Sequence, residues 1–581
     1  MKGKPNISLV IFSLFAVLIS CSRDFLDIKP KSVLDSNVLA NAKGIDALLI
    51  GAYSMLDGVS AQFGWETAST NWVFADIRGL IANKGSDAGD SGNDINFIQT
   101  FSETATSPFE AGTSWLNLKW KEIYEAISRC NSAIEVTNLA LRKGTISSNQ
   151  AELFLMQARA LRGWFHFEAW RMWQKIPFVD ENTDQDTLTN KFDVRNRIIA
   201  DLQDGTALPD NMGQIGRFNG TVSKVLLAKA MMQMYHDYAS ALKLLQAAKN
   251  GTKPNGAAIG LAPTFGEIFD IENRNGIEAV YTVQYSVNDG SGGWNGGWGE
   301  VLNFPYKGNG GSPAGCCGFF QPTQEFVNSF RTSDGLPLID YSYNNFPVKN
   351  DLGYSPSQPF TEDDGTLDPR LDWTVGRRGI PYWDWGFHSG RDWIRDQNYG
   401  GPYSPKKQVY KKSQEGQYTE VGNWTSGFTA NGYRMIRFAD ILLLIAECQI
   451  ETGDLEGARM NINQVRSRAA NPEGFVKEPD GVTPAANYVV SQYPAFSDVN
   501  QARLALRMER KLELGMEGHR WFDLNRWGIT VEELNRALNY EKLMPWSRNL
   551  YGNAFVGPED VTYPIPKYQI DISNKRLVQN R

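Results

Sequence analysis

The chain has 581 residues, 42% of them hydrophobic and 12% aromatic, with 65 acidic against 58 basic side chains and a net charge of −7. A chain of this length buries a core without disulfide staples, and an acidic balance with no block of like charge disfavours a nucleic-acid partner. Five cysteines without Cys-x-x-Cys spacing and four histidines scattered along the chain form no zinc pattern.

Lys2 and Lys4 precede an apolar run from Ile7 to Ile19, broken only by Ser8 and Ser13 and ending in Leu18-Ile19-Ser20-Cys21. That order is a signal peptide with a lipobox, and the run is shorter than the ~20 apolar residues a spanning helix needs. Residues 1–20 are expected to be removed and Cys21 to become the lipidated N-terminus. Several acyl chains, at roughly 0.8 kcal/mol per buried methylene, anchor such a cysteine stably in lipid. No later stretch is apolar enough to cross a membrane, so the body is expected to lie in water.

Apolar residues recur at three-and-four spacing from Trp115 to Asn138 (Trp120, Ile123, Ile127) and from Gln150 to Trp173 (Leu155, Ala158, Leu161, Phe165), which predicts two amphipathic helices. A third helical stretch runs from Thr221 to Lys249. A fourth, from Tyr433 to about Ala470, is interrupted at Gly453 and Asp454 and reads as a helical hairpin, with Ala446 and Ala458 small enough to let its arms approach. A last helix is expected from Gln501 to about Trp527, followed by an extended tail from Tyr563. Along it Glu513, Glu517, Arg520, Asp523 and Arg526 stand three or four residues apart, the spacing of ion pairs on one helix face. The sharper reading, a metal or acid–base site at His519 and Asp523, lacks a His-Glu-x-x-His motif. The remaining cysteines, Cys130, Cys316, Cys317 and Cys448, read as buried thiols.

Between Gly251 and Gly432 the texture shifts to Gly, Pro, Asn, Asp and aromatics, with a short strand-like piece from Ala279 to Tyr285. Disordered chains are poor in aromatics, and this stretch holds Trp294, Trp298, Trp373, Trp383, Trp385, Trp393 and Trp424, so it is expected to be ordered. Sugars offer flat C–H faces and hydroxyl edges, which exposed rings and nearby Asn, Asp and Arg recognise. Three clusters fit: Trp65 with Asn71, Trp72, Asp76 and Arg78; Trp294 and Trp298 within the glycine-rich run Gly290 to Gly299; and Trp383, Trp385 and Trp393. Tryptophan is highly buried on average, so two or three of these seven rings are expected to touch ligand. Trp115, Trp120, Trp164, Trp170, Trp173, Trp521 and Trp527 sit at core spacing on helices and read as structural. No catalytic residue, metal or cofactor is assigned.

Five segments in order add a resemblance. "CSRDFLDIKPKS", "LRGWFHFEAWRMWQKIPFV", "YRMIRFADILLLIAECQIETGDLEGARMNINQVRSRA", "RMERKLELGMEGHRWFDLNRWG" and "YPIPKYQIDISNKRLVQN" resemble those of the SusD/RagB family and span Cys21 to Asn580. The resemblance implies a mainly α fold, a tetratricopeptide-like helical scaffold with a large irregular loop-rich part containing short strands. The expected division is an N-terminal helical region 21–250, a ligand-face region 251–432 and a C-terminal helical region 433–581. The resemblance also implies a cell-surface lipoprotein of the outer membrane, not an enzyme, that takes a glycan and passes it to a SusC-like TonB-dependent transporter as its lid. Peptide capture, as in the RagB branch, is the alternative. A surface glycosidase would need a carboxylate pair in a cleft, which nothing in the sequence singles out.

Overall fold

The computed structural model describes residues 35–60, 64–90, 94–106, 114–306, 311–422 and 425–581. Cys21, the leader 1–20 and Trp424 lie outside the described residues. Helices form the scaffold. They are α1 (Ala42–Ser54), α2 (Trp115–Lys143), α3 (Ser148–Trp173), α4 (Arg195–Gly205), α5 (Gly220–Tyr235), α6 (Tyr238–Lys249), α7 (Phe438–Thr452), α8 (Leu455–Ala469), α9 (Val499–Leu514), α10 (Arg520–Arg526) and α11 (Thr530–Glu541).

Local chemistry sets the turns between them. α2 stops at Gly144 in the left-handed region, and α3 starts with a capping box in which Ser147 and Gln150 satisfy each other's backbone donors. α7 stops at Gly453, also left-handed, and Asp454 caps α8 by accepting from the Gly457 N–H at 2.8 Å. The predicted hairpin is therefore present, and Ala446 and Ala458 are both fully buried where its arms pack. Successive helices pair in this way: α2 on α1 and α3, α3 on α4, α5 on α6, α6 on α7, and α7 on α8 and α9. Most of their apolar faces, including Ile123, Ile127, Leu161, Phe165, Leu442 and Leu512, join one large core, while Ile45 and Leu49 of α1 with Ile134 and Ala140 of α2 form a separate, smaller cluster.

Three expected helices differ from the structure. Thr221 to Lys249 is two helices, because His236 takes a left-handed conformation and Asp237 caps the next one through the Ser240 N–H. The hairpin begins not at Tyr433 but at Phe438, since Tyr433–Arg437 is a strand paired antiparallel with Ala279–Val283. Gln501 to Trp527 breaks between Leu514 and Arg520. Gly518 lies in that break at φ +81, and a Cβ there would stand 1.9 Å from the Thr70 carbonyl oxygen.

The strands are short and form two-stranded ladders, Ala82–Gly85 with Phe319–Pro322 among them. The fold is mainly α, with a loop-rich part laid on the helices. Cys130 and Cys448 are buried free thiols, and Cys316 and Cys317 follow one another in the loop-rich part. Among the described residues no helix is long and apolar enough to cross a membrane.

Candidate functional site

The glycine-rich run places its two tryptophans in a stack. Trp298 lies parallel to Trp294 at 4.3 Å between centroids and 12°, to Phe428 at 4.9 Å and 14°, and to Trp65 at 6.0 Å and 9°. Trp294 is the open member, 43% exposed, while Phe428 is buried and Trp65 and Trp298 are half-buried. Close approach requires the glycines. A Cβ at Gly293 would meet the Phe428 ring at 2.7 Å, and one at Gly64 would meet Trp298 Nε1 at 2.4 Å.

The loop that carries Trp294 is fixed by its own polar groups. Asp289 accepts from the Ser291 N–H at 3.0 Å, from Asn295 Nδ2 at 2.8 Å and from the Ser286 hydroxyl. Those donors hold its carboxyl well below the usual range, the Ser286 hydroxyl contributing most. The Asn288 N–H donates to Glu420 at 2.8 Å, tying the loop to the strand that ends beside Phe428. Glu66, next to Trp65, has its carboxyl pushed up by burial. The result is a ring held rigidly at the surface beside hydrogen-bonding acceptors, the arrangement that stacks on one face of a sugar and reads its hydroxyls.

Most of the first cluster lies elsewhere. Asn71, Trp72, Asp76 and Arg78 are 3%, 1%, 0% and 0% exposed, and they offer no surface to a ligand. Trp72 donates to the Gly299 carbonyl at 3.1 Å and meets Trp115, Phe319 and Phe320 edge-on. Asn71 donates to Glu168 at 3.0 Å. Asp76 accepts from the Gly518 N–H at 2.7 Å, and burial pushes its carboxyl up to about 7. Arg78 pairs with Glu103 at 2.8 Å and Asp560 at 3.3 Å. These four are core residues: Asp76 and Arg78 tie the segment to the C-terminal region, while Asn71 and Trp72 tie it to α3 and the loop-rich part. Trp72 still serves the stack indirectly, through the carbonyl next to Trp298.

The third cluster is also a packing unit. Trp393 is 2% exposed and sits edge-on to Tyr382 at 5.4 Å. Trp385 is half-buried and donates to the Tyr410 carbonyl at 2.8 Å. Trp383 is half-buried against Trp373 at 5.0 Å. Among the described residues no ring contact joins this cluster to the Trp294 stack. Phe428, Glu66 and Asn295 complete the site without having been singled out. Glu66 and Asn295 are legible as the polar neighbours of Trp65 and Trp294, but Phe428 is placed only by the fold.

The charged C-terminal segment is a buried network rather than one helix face. Glu513 receives Arg468 at 2.5 Å, Arg437 at 3.0 Å and Arg370 at 3.0 Å, and Glu517 receives Arg437 and Lys407, each at 2.7 Å. Burial pushes the Glu513 carboxyl up, but the three guanidiniums outweigh it and hold it well below the usual range. Only Asp523 and Arg526, at 2.8 Å, pair within a helix as the spacing predicts. Burial holds the His519 imidazole down to about 4, and Asp523 is committed to Arg510 and Arg526. Among the described residues no group of His, Cys, Asp and Glu is placed to hold a metal ion.

Comparison with known proteins agrees with this architecture. A SusD-like protein, P25, of Formosa agariphila is 22% identical over 98% of this chain and 97% of its own length. A crystal structure of a SusD superfamily protein from Bacteroides vulgatus superposes with a TM-score of 0.65 at 17% identity, covering 93% of this chain and 99% of that one. Surface glycan-binding protein A from Bacteroides thetaiotaomicron, in complex with laminarihexaose, superposes with a TM-score of 0.62 at 19% identity, over 93% and 99% of the two chains. The model of the SusD family matches residues 277–581, more than half of the sequence. The chain belongs to the SusD family.

Proposed function

We propose that the protein is a cell-surface lipoprotein that binds oligosaccharide or polysaccharide on the Trp65–Trp298–Trp294 stack. It delivers that glycan to a SusC-like TonB-dependent outer-membrane transporter, over which it acts as a lid. The observation that carries the reading is the exposed Trp294 ring, backed by Trp298 at 4.3 Å and flanked by Asp289 and Asn295. A relative of the same fold, crystallised with laminarihexaose, supports a carbohydrate ligand. The region 251–432 provides most of the ligand face, and the helical regions 21–250 and 433–581 hold it. The lipobox at Cys21 supports attachment to the outer membrane facing the cell surface.

The role is capture without turnover. Native gels containing neutral polysaccharides test it directly. Migration retarded by at least one polysaccharide, with no release of reducing ends, is the expected result. Release of sugar abolished by a single carboxylate substitution contradicts the non-enzymatic role, and retention of peptides but no glycan contradicts the ligand class.

A further inference from the structure

A cavity of about 540 Å³, apart from the tryptophan stack, opens between the loop after Asp351 and the turn carrying Arg391 to Asn398, with Tyr306 on its wall. Its two sides are joined underneath. Buried Asp351 accepts from Gln397 Nε2 at 3.0 Å and lies 3.6 Å from the Arg378 guanidinium, which in turn donates to the carbonyls of Ser355, Pro356 and Gln358. Gly390 allows the sides to meet, because a Cβ there would stand 2.1 Å from the Asp351 carboxylate. Tyr306 is anchored through its N–H to the Trp393 carbonyl at 2.9 Å, and Arg395 lies over its ring while bound to Asp87 and Asp90. The cavity is thus built in advance of any ligand.

Its lining has uncommitted polar groups of both kinds. Among the described residues the Arg391 guanidinium has no carboxylate partner and Asp392 has no cationic one, and the Asn398 side chain makes no hydrogen bond. Gln397 is only 6% exposed, and its side-chain oxygen accepts no protein hydrogen bond among the described residues. One free guanidinium faces two carboxylates without a cationic partner among the described residues, Asp392 and Asp396, so the cavity does not select an anion. Donors and acceptors set side by side, next to a ring and the apolar Leu352 and Ile394, match a neutral ligand whose hydroxyls both donate and accept.

We propose that this cavity is a second carbohydrate subsite for a neutral, hydroxyl-rich chain, separate from the tryptophan stack. This rests on the carbohydrate reading above. Tyr306 is eight positions after Trp298, so the Cα atoms of these two residues lie no more than ~29 Å apart. One polysaccharide molecule engages both, and binding at the stack raises the effective concentration of its other sugars at the cavity.

The test uses the full chain and a panel of laminarin, starch, galactomannan and xylan, with the trisaccharide of whichever polymer binds. The pair Arg391→Ala and Asp392→Ala is expected to weaken polymer binding at least ~10-fold, while the trisaccharide, too short to span both sites, keeps its Trp294-dependent binding. Asn398→Ala removes an exposed side chain and repeats the test if the pair lowers the melting temperature. Trp294→Ala is expected to weaken both ligands. Polymer binding that depends on Trp294 but not on Arg391, Asp392 or Asn398 overturns the cavity and leaves the stack standing. Binding lost with the cavity residues but indifferent to Trp294 supports the cavity and overturns the stack. Binding to no member of the panel overturns both.

Discussion

Trp294 lies flat on Trp298, with ring centroids 4.3 Å apart and planes 12° from parallel, and of the two it is the outer ring that meets solvent. A partner ring behind it fixes the orientation of Trp294, so a sugar stacking on its open face orders little that is not already ordered.

Trp72 and Trp521, 1% and 0% exposed, answer to stability instead. Removing a buried aromatic from a packed core costs about 3–5 kcal/mol, so Trp72→Ala and Trp521→Ala should each lower the urea midpoint sharply. An unchanged midpoint for Trp72→Ala would show that its ring is not part of the core.

The Glu513 network predicts a second stability effect. Glu513→Gln leaves Arg370, Arg437 and Arg468 short of a buried counter-charge, and breaking one partner of such a group costs about 3–5 kcal/mol. The folded carboxyl lies below its ordinary value of 4.5, so its contribution is present above that pH and is lost as pH falls below it. Unfolding monitored from pH 7 down to pH 3 should show wild type losing more stability than Glu513→Gln. Parallel curves would contradict the pairing.

Asp76 has the opposite sign. Burial raises its folded carboxyl from 3.8 to about 7, so the folded state holds a proton that the unfolded chain has released, and this group lowers stability as pH rises from about 4 to 7. Asp76→Asn keeps an oxygen for the Gly518 N–H and cannot ionise. Its stability should decline less than wild type over that range, read by thermal melting at each pH. An identical decline removes Asp76 as the source.

Lipidation is tested by fractionation. Cys21→Ala should move the protein from the membrane pellet to the soluble fraction or leave its leader uncleaved, and unchanged membrane partitioning contradicts the anchor.

Local pattern reaches some of these features and not others. Helices α2 and α3 and the turn at Gly453–Asp454 follow from periodicity and capping within a few residues, and the pairing of Trp294 with Trp298 is prefigured by their spacing among glycines. The burial of Asn71, Trp72, Asp76 and Arg78 is not legible. Asn71, Asp76 and Arg78 are polar or charged, and what covers them comes from far along the chain: Gly518 reaches Asp76, and Asp560 reaches Arg78. The same distance hides the partners of Glu513 and Glu517, whose regular spacing suggests neighbours on one helix while the fold supplies arginines from three other segments. Trp383, Trp385 and Trp393 look like ligand rings for the same reason, since the rings they pack on, Trp373, Tyr410 and Tyr382 in turn, are placed against them only in three dimensions.

The most direct measurement is calorimetric titration of wild type and Trp294→Ala with a glycan the wild type binds, alongside their melting temperatures. Loss of a central stacking ring is worth about 2 kcal/mol, so Trp294→Ala should bind roughly thirtyfold more weakly at an unchanged melting temperature. Wild-type affinity in the folded Trp294→Ala variant would contradict the stack as the carbohydrate site.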